Sequence, residues 1–220
     1  MVCHGQAFED DLADLLAMYC NRKADLFQRT GTMIGLSPHC KKGDYLIELG
    51  AETAAPGALI VADAKDDKSW TERKALTEII EAMKNRGAQV GLFIFSKQTA
   101  PANMDDFVRY GNVILTSWDP ADPSTDVFVK VSLSLARALV VKEARKAEQC
   151  DDALNHIERQ VRLVEKEASS LAEIQKWAQT VKTSGQKIID KAAAGETNLL
   201  HCVEILDSQI ASLLQTTEEQ

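Results

Sequence analysis

The sequence predicts an α/β domain, a mixed sheet flanked by helices, followed by a long helical tail with coiled-coil character. Two observations carry this. Helix-like and strand-like segments alternate in the first half in the order α-β-β-β-α-β-β. Beyond about residue 125 there is no proline, Gly185 and Gly195 are the only glycines, and apolar residues recur at intervals of three and four. The expected division is a core over residues 1–123 and a tail over residues 124–220.

The first helix is expected over residues 6–27, where Leu12, Leu15, Leu16, Tyr19 and Cys20 form one apolar stripe. Residues 31–42 read as loop or a short strand. Residues 44–49 read as a strand between Gly43 and Gly50, and residues 52–57, with Pro56, as a hairpin connection. Residues 58–65 form an apolar strand that turns polar at its end. A helix follows over residues 71–86, with Thr71 or Ser69 as N-cap and Gly87 just past its end. Residues 89–96 are a buried strand, residues 97–110 a loop with a short helix, and residues 112–118 a further strand. In the tail, helices are expected over residues 124–148, 151–194 and 197–214, with a turn at Gly195. Leu154, Ile157, Val161, Val164, Ala168 and Leu171 are spaced as a heptad seam. Leu199, Val203, Leu206, Ile210 and Leu213 repeat it. Such seams need a partner, so a homodimer through the C-terminal helices is expected.

The chain carries 25 Lys and Arg against 33 Asp and Glu, a net charge of −8, which argues against nonspecific nucleic-acid binding by the whole surface but leaves room for a local basic groove. It has neither a long apolar run nor a signal-peptide layout, so the expectation is a cytoplasmic protein outside the membrane. Five scattered cysteines without a C-x-x-C pair argue against a disulfide framework. The motifs G-x-S-x-G, the P-loop and H-E-x-x-H are absent.

The chemistry-bearing residues cluster around residues 58–65. Side chains on a strand alternate faces, so Leu59, Val61, Asp63 and Lys65 share one face. An acid at the end of an apolar strand needs a partner, because burying it alone is costly. Asp44 begins the preceding strand. If the two strands are neighbours, Asp44 and Asp63 can converge on one cation, and Mg²⁺ takes one or two carboxylates plus water and phosphate oxygens.

Gly43-Asp44, then Asp63-Ala64-Lys65 at the end of the next strand, resembles the signature of the PD-(D/E)XK nuclease superfamily, with its restriction-endonuclease-like fold. Within it, the chain is similar to RmuC-type DNA-recombination proteins and a related uncharacterised bacterial family with coiled-coil regions. That likeness rests on Gly43-Asp44, on the run from Asp63 to Trp70 and on the run from Arg86 to Ile94, and covers roughly residues 5 to 148. The sequence departs from the superfamily pattern in having Gly43, not proline, before Asp44. The resemblance implies a metal-dependent nuclease acting on DNA, in repair or recombination, with Mg²⁺ as cofactor and Mn²⁺ able to replace it. Asp44, Asp63, the Ala64 carbonyl and Glu9 would hold the metal. Lys65 would orient or deprotonate the attacking water, and Lys68, Trp70 and Arg73 would meet the DNA backbone. Glu48 is a reserve ligand, and Glu78 and Glu81 stand on the following helix.

Each residue also has a plainer reading. Asp63 and Lys65 could be a solvated ion pair, Asp44 turn chemistry, Glu9 a favourable charge at a helix start, and Lys68, Trp70 and Arg73 ordinary surface residues. The alternative function is therefore an inactive, nuclease-fold scaffold that oligomerises through its tail. A further possibility is that a preceding region, outside this chain, supplies DNA binding.

Overall fold

The computed structural model describes residues 4–145 and 151–217. A six-stranded mixed sheet lies between helices, and a long C-terminal helix follows. The elements are α1 (His4–Arg22), β1 (Leu26–Arg29), β2 (Tyr45–Glu48), β3 (Leu59–Lys65), α2 (Glu72–Arg86), β4 (Val90–Ser96), β5 (Phe107–Tyr110), β6 (Val113–Trp118), a short 3₁₀ turn (Pro123–Thr125), α3 (Asp126–Arg145) and α4 (Asp151–Thr217). The strand order is β1-β2-β3-β4-β6-β5. Pairs β3/β4 and β4/β6 are parallel; the other three are antiparallel.

The two sheet faces have separate cores. Ile60, Ala62, Ala64, Leu92 and Ile94 pack with α1 and α3, burying Leu12, Leu16, Phe128 and Val140. Val61, Phe93, Phe95 and Leu115 pack against Ala75, Ile79 and Ala82 of α2. This is the alternation that the apolar strand predicts, buried on both sides because parallel strands are covered on both faces. Helix α2 is bounded as the sequence indicates: the Thr71 side chain accepts from Lys74 N at 3.3 Å, and Gly87 takes a left-handed conformation at φ 66°.

Several boundaries differ from expectation. Helix α1 ends at Arg22, not at residue 27. Ala24 turns left-handed (φ 56°), and the Lys23 and Asp25 N–H groups close on the Cys20 carbonyl. The buried Asp25 then accepts from Gly50 N at 3.1 Å and pairs with Arg137, which frees Leu26–Arg29 to form the edge strand β1. Residues 31–42 are loop, one of the two expected readings; residues 97–106 are loop as expected but without the short helix, and β5 takes residues 107–110. Tyr110 pairs with Val113 across Gly111 and Asn112, with Gly111 at φ 62°, a two-residue hairpin.

Helix α3, on the far side of the expected boundary at residue 123, packs on the sheet, and the first compact unit runs Met1–Ala172. The early part of the heptad seam is covered within the chain: Val161 and Ala168 are buried and Ile157 and Leu171 partly so. The expected turn at Gly195 is not formed. Helix α4 continues through both glycines, since one glycine costs a helix only about 1 kcal/mol. The last residues of the expected helix over 124–148 lie outside the described residues. Among the described residues, no helix is long and apolar enough to cross a membrane.

The segment between β1 and β2 has little regular structure, and the end of α2 holds it. Arg86 is 8% exposed. Its Nε donates to Lys42 O at 3.0 Å, and its Nη2 lies 2.7 Å from Thr30 O, 2.9 Å from Met33 O, 3.0 Å from Lys41 O and 3.2 Å from Gly43 O. Asn85 accepts from Ser37 N at 3.1 Å and donates to Cys40 O and Lys42 O. Removing the guanidinium takes the donor from the Met33 and Lys41 carbonyls and one donor each from those of Thr30, Lys42 and Gly43, which keep Met33 N–H, Asn85 and the Thr30 hydroxyl. Arg86→Ala is expected to cost about 3 kcal/mol or more, and Arg86→Lys nearly as much because an ammonium cannot reproduce the planar fork. Urea unfolding checks this; an unchanged midpoint in either variant contradicts it.

Candidate acid and lysine site

The site lies where β2 begins and β3 ends. Tyr45 is paired with Ala62, so continuing the antiparallel register by one residue sets Asp44 across from Asp63, both on the α2 face. The structure thus brings Asp44, Asp63 and Lys65 to one side of the sheet. Asp44 Oδ2 accepts from the Ala64 N–H at 3.0 Å, stitching the first acid to the second strand.

Gly43 explains the departure from proline. Its φ is +94°, and an added Cβ would lie 2.6 Å from Val61 Cγ2. Proline fixes φ near −65° and has no N–H, whereas the Gly43 N–H faces the Asp63 carboxylate and works against the rise in its pKa. Thr30 completes the frame: its N–H donates to Asp44 O at 2.7 Å and its hydroxyl to Gly43 O at 2.8 Å.

Asp63 is 3% exposed, beside Val61, Phe93 and Phe95 of the apolar core. Burial pushes its pKa up to about 8, and the Asp44 charge pushes the same way; Lys65 opposes both. Lys65 Nζ stands 3.9 Å from Asp63 Oδ1, near enough to attract but too far to hydrogen bond. Oδ1 is buried with no hydrogen-bond partner. The ammonium lies 5.1 Å above the Trp70 ring, and Trp70 stacks at a tilt on Phe93 with centroids 5.4 Å apart. The lysine is therefore held by an aromatic face and a carboxylate, with only partial exposure.

Glu9 arrives from α1. Tyr45 fixes the local backbone by donating its hydroxyl to Glu9 O at 2.6 Å. Burial raises the Glu9 pKa, Asp44 raises it further and Lys65 lowers it, so this carboxyl feels the same two charges as Asp63. Of the remaining candidates, Glu78 still acts on Asp63, its charge raising that pKa. Glu48 pairs with Leu59 at the opposite end of β3, away from Asp63. Glu78 accepts from Lys42 Nζ at 2.6 Å, and Glu81 is bound by the same lysine. Lys68 and Arg73 are exposed. Arg73 and Trp70 line an open groove of about 480 Å³ with Thr71, Lys74, Thr77 and Glu78. Sequence reasoning missed Tyr45, Asn85 and Arg86 as supports of the site, since each acts through contacts with residues distant in the chain.

Among the described residues, no three His, Cys, Asp or Glu side chains gather as a metal cage. A Mg²⁺ ion asks for less: one or two carboxylates, with water and phosphate oxygens completing the shell. The orphaned Oδ1 of a buried acid facing a second acid fits that requirement.

No family model matches the chain, and no curated protein does. Two solved structures are similar at 14% identity. One is a half-complex from a tetradecameric assembly of Thermococcus gammatolerans McrB AAA+ hexamers with bound McrC, with a TM-score of 0.40 over 60% of this chain and 33% of that one. The other is the MspJI restriction endonuclease in complex with a 27-mer oligonucleotide, with a TM-score of 0.32 over 69% and 31%. The chain spans about a third of the length of either. At these TM-scores neither likeness bears on function.

The Asp63 environment sets a pH dependence. An acid whose folded pKa is raised from 3.8 to about 8 leaves stability fully present below about pH 4 and lost as pH climbs toward 8, by at most about 1.4 kcal/mol per pH unit. Asp63→Asn should remove this loss. Thermal melts of both proteins in chelator-treated buffer across that range check it, and parallel curves would contradict it.

Proposed function

We propose that this chain is a metal-dependent nuclease that hydrolyses phosphodiester bonds in DNA, in repair or recombination in the cytoplasm, and that works as a homodimer through its C-terminal helices. The observation that carries the proposal is Asp63: a buried carboxylate with one unpartnered oxygen, set across from Asp44 and beside Lys65. A solvated ion pair would have no reason to bury its acid at such cost.

In this reading Asp44, Asp63, the Ala64 carbonyl and Glu9 hold Mg²⁺, or Mn²⁺ in its place. The bound ion supplies positive charge at the phosphate and acidifies a coordinated water. Lys65, held off hydrogen-bond distance from Asp63, has donors left to orient the attacking water and to offset charge on the phosphate. Trp70 keeps that ammonium over its ring, while Arg73 from the open groove and the exposed Lys68 meet the DNA backbone. These two cations give an acidic chain a local surface a polyanion can approach. Tyr45 and Arg86 bind nothing themselves; they keep Glu9 and the Gly43–Asp44 segment in place.

A second reading is favoured by the overall charge of −8 and by the lack of a three-residue ligand group among the described residues. In it the chain is an inactive nuclease-fold scaffold.

Incubation with plasmid and linear DNA separates the two. The nuclease reading expects cleavage that needs Mg²⁺ or Mn²⁺ and falls on the order of 100-fold or more in Asp63→Ala and in Lys65→Ala. Calorimetry should show Asp63→Ala losing metal affinity, with Lys65→Ala still binding. Absence of cleavage together with absence of metal binding by the parent protein overturns the nuclease reading in favour of the scaffold.

A further inference from the structure

The second compact unit, Glu173–Gln220, consists of helix α4 beyond Ala172 and the chain's last residues. Large apolar side chains stand in water along it: Ile174 is 52% exposed, Trp177 63%, Val181 72% and Ile188 70%. At 100° per residue these four and Gly185 fall in one narrow stripe. The sequence keeps the same phase through positions Ala192, Gly195, Leu199, Val203, Leu206, Ile210 and Leu213. Ile174, Ala192 and Ile210 recur after five turns, about 18 residues at 3.6 per turn, so the stripe runs straight along an ordinary helix.

Three features identify what covers it. Apart from Val203, whose counterpart is Ser184, and Gly185, whose counterpart Cys202 stands one residue off the stripe, the stripe reads alike from either end about a point between Ala193 and Ala194. Reversed upon itself, it sets Ile174 against Leu213, Trp177 against Ile210, Val181 against Leu206 and Ile188 against Leu199, while Gly185 meets Cys202 and Ala192 meets Gly195. In these six pairs large positions face large and small face small; Val203, against Ser184, is the exception. Charge is divided in the same sense: Lys176, Lys182, Lys187 and Lys191 outnumber Glu173 and Asp190 in the first half, whereas residues 192–217 carry Glu196, Glu204 and Asp207 and no Lys or Arg. Reversed pairing lays the basic half on the acidic half and brings Lys182 between Glu204 and Asp207; parallel pairing lays like on like. Finally, glycine is a poor helix former, and a Cβ at Gly185 or Gly195 would meet nothing within 4 Å in the single chain. Among the described residues nothing demands these glycines, whereas close approach of a second helix would account for them.

We propose that two copies of this chain associate through α4 in antiparallel register, with the two-fold axis passing between Ala193 and Ala194. The stripe covered in this way is about 58 Å long at 1.5 Å per residue. This deepens the homodimer part of the proposed function and is independent of its nuclease chemistry.

The test uses the full chain. Light scattering should give twice the chain mass, and Ile188→Glu should lower the dimer fraction at least tenfold at equal concentration. Under oxidation Gly185→Cys should form a disulfide with Cys202 of the partner subunit, identified by peptide mass mapping. Within one helix those positions lie about 25 Å apart, far beyond the span of a disulfide. The parent protein should form no link between two Cys202 residues. A 202–202 or 185–185 link denotes a parallel dimer and overturns the register while leaving the homodimer standing. A monomer at every concentration overturns both, and DNA cleavage by that monomer would leave the nuclease reading intact.

Discussion

The guanidinium of Arg86 is cut off from water, and the segment between β1 and β2 has carbonyls that no sheet receives. Each solves the other's problem. One buried cation gathers the carbonyls of Thr30, Met33, Lys41, Lys42 and Gly43 around the end of α2. Burial pulls the Arg86 pKa down, but arginine stays charged because its ordinary pKa is so high. A lysine could shed its proton in that setting; arginine supplies fixed donors. The consequence reaches the site through a single residue. Gly43 O is among the carbonyls held, and Asp44 follows it into β2. The placement of the first acid is thus set by α2, an element that begins only after β3 has delivered the second.

With the frame in place, the site carries an unresolved electrostatic conflict. Asp63 sits among phenylalanines with Asp44 opposite, so ionisation is penalised twice. A protein that wanted only stability would move Lys65 nearer or replace the acid with an apolar residue, which often stabilises. Here the lysine is held back over Trp70 and the acid keeps a bare oxygen. Polar strain of this kind is expected where a cationic ligand completes the charge balance. The alternative, a carboxylic acid kept neutral near pH 7, would still leave its buried oxygen unsatisfied.

What the sequence made legible follows from the range of each interaction. Strand alternation is local, so the shared face of Asp63 and Lys65 could be read directly, as could the Thr71 and Gly87 ends of α2. The end of α1 could not. Ala24 carries no sign of a left-handed turn; the helix stops there because Asp25 finds Gly50 and Arg137, both remote in sequence. The β5/β6 hairpin does have a local signal. Gly111-Asn112 between Phe107–Tyr110 and Val113–Trp118 is a two-residue hairpin signal, obscured by the prolines and polar residues upstream. Arg86 and Asn85 had no local signature at all. On a helix their polar side chains look like surface, and only the folded segment 30–43 shows that they are buried.

The tail shows why periodicity alone misplaces a partner. The same three-and-four spacing runs through α4, yet Val161 and Ala168 are consumed inside the first unit while Trp177 and Val181 remain in water. The seams look equivalent because spacing reports only which face of a helix is apolar, and an apolar face is indifferent to whether its cover comes from the same chain or another. The discriminating information is in the residues that spacing ignores. Gly195 looked like a place to turn, but a glycine that breaks no helix and touches nothing is better understood as room left for something to come close. Its position near the centre of a stripe that largely mirrors itself in size and opposes itself in charge suits the proposed second helix running the other way.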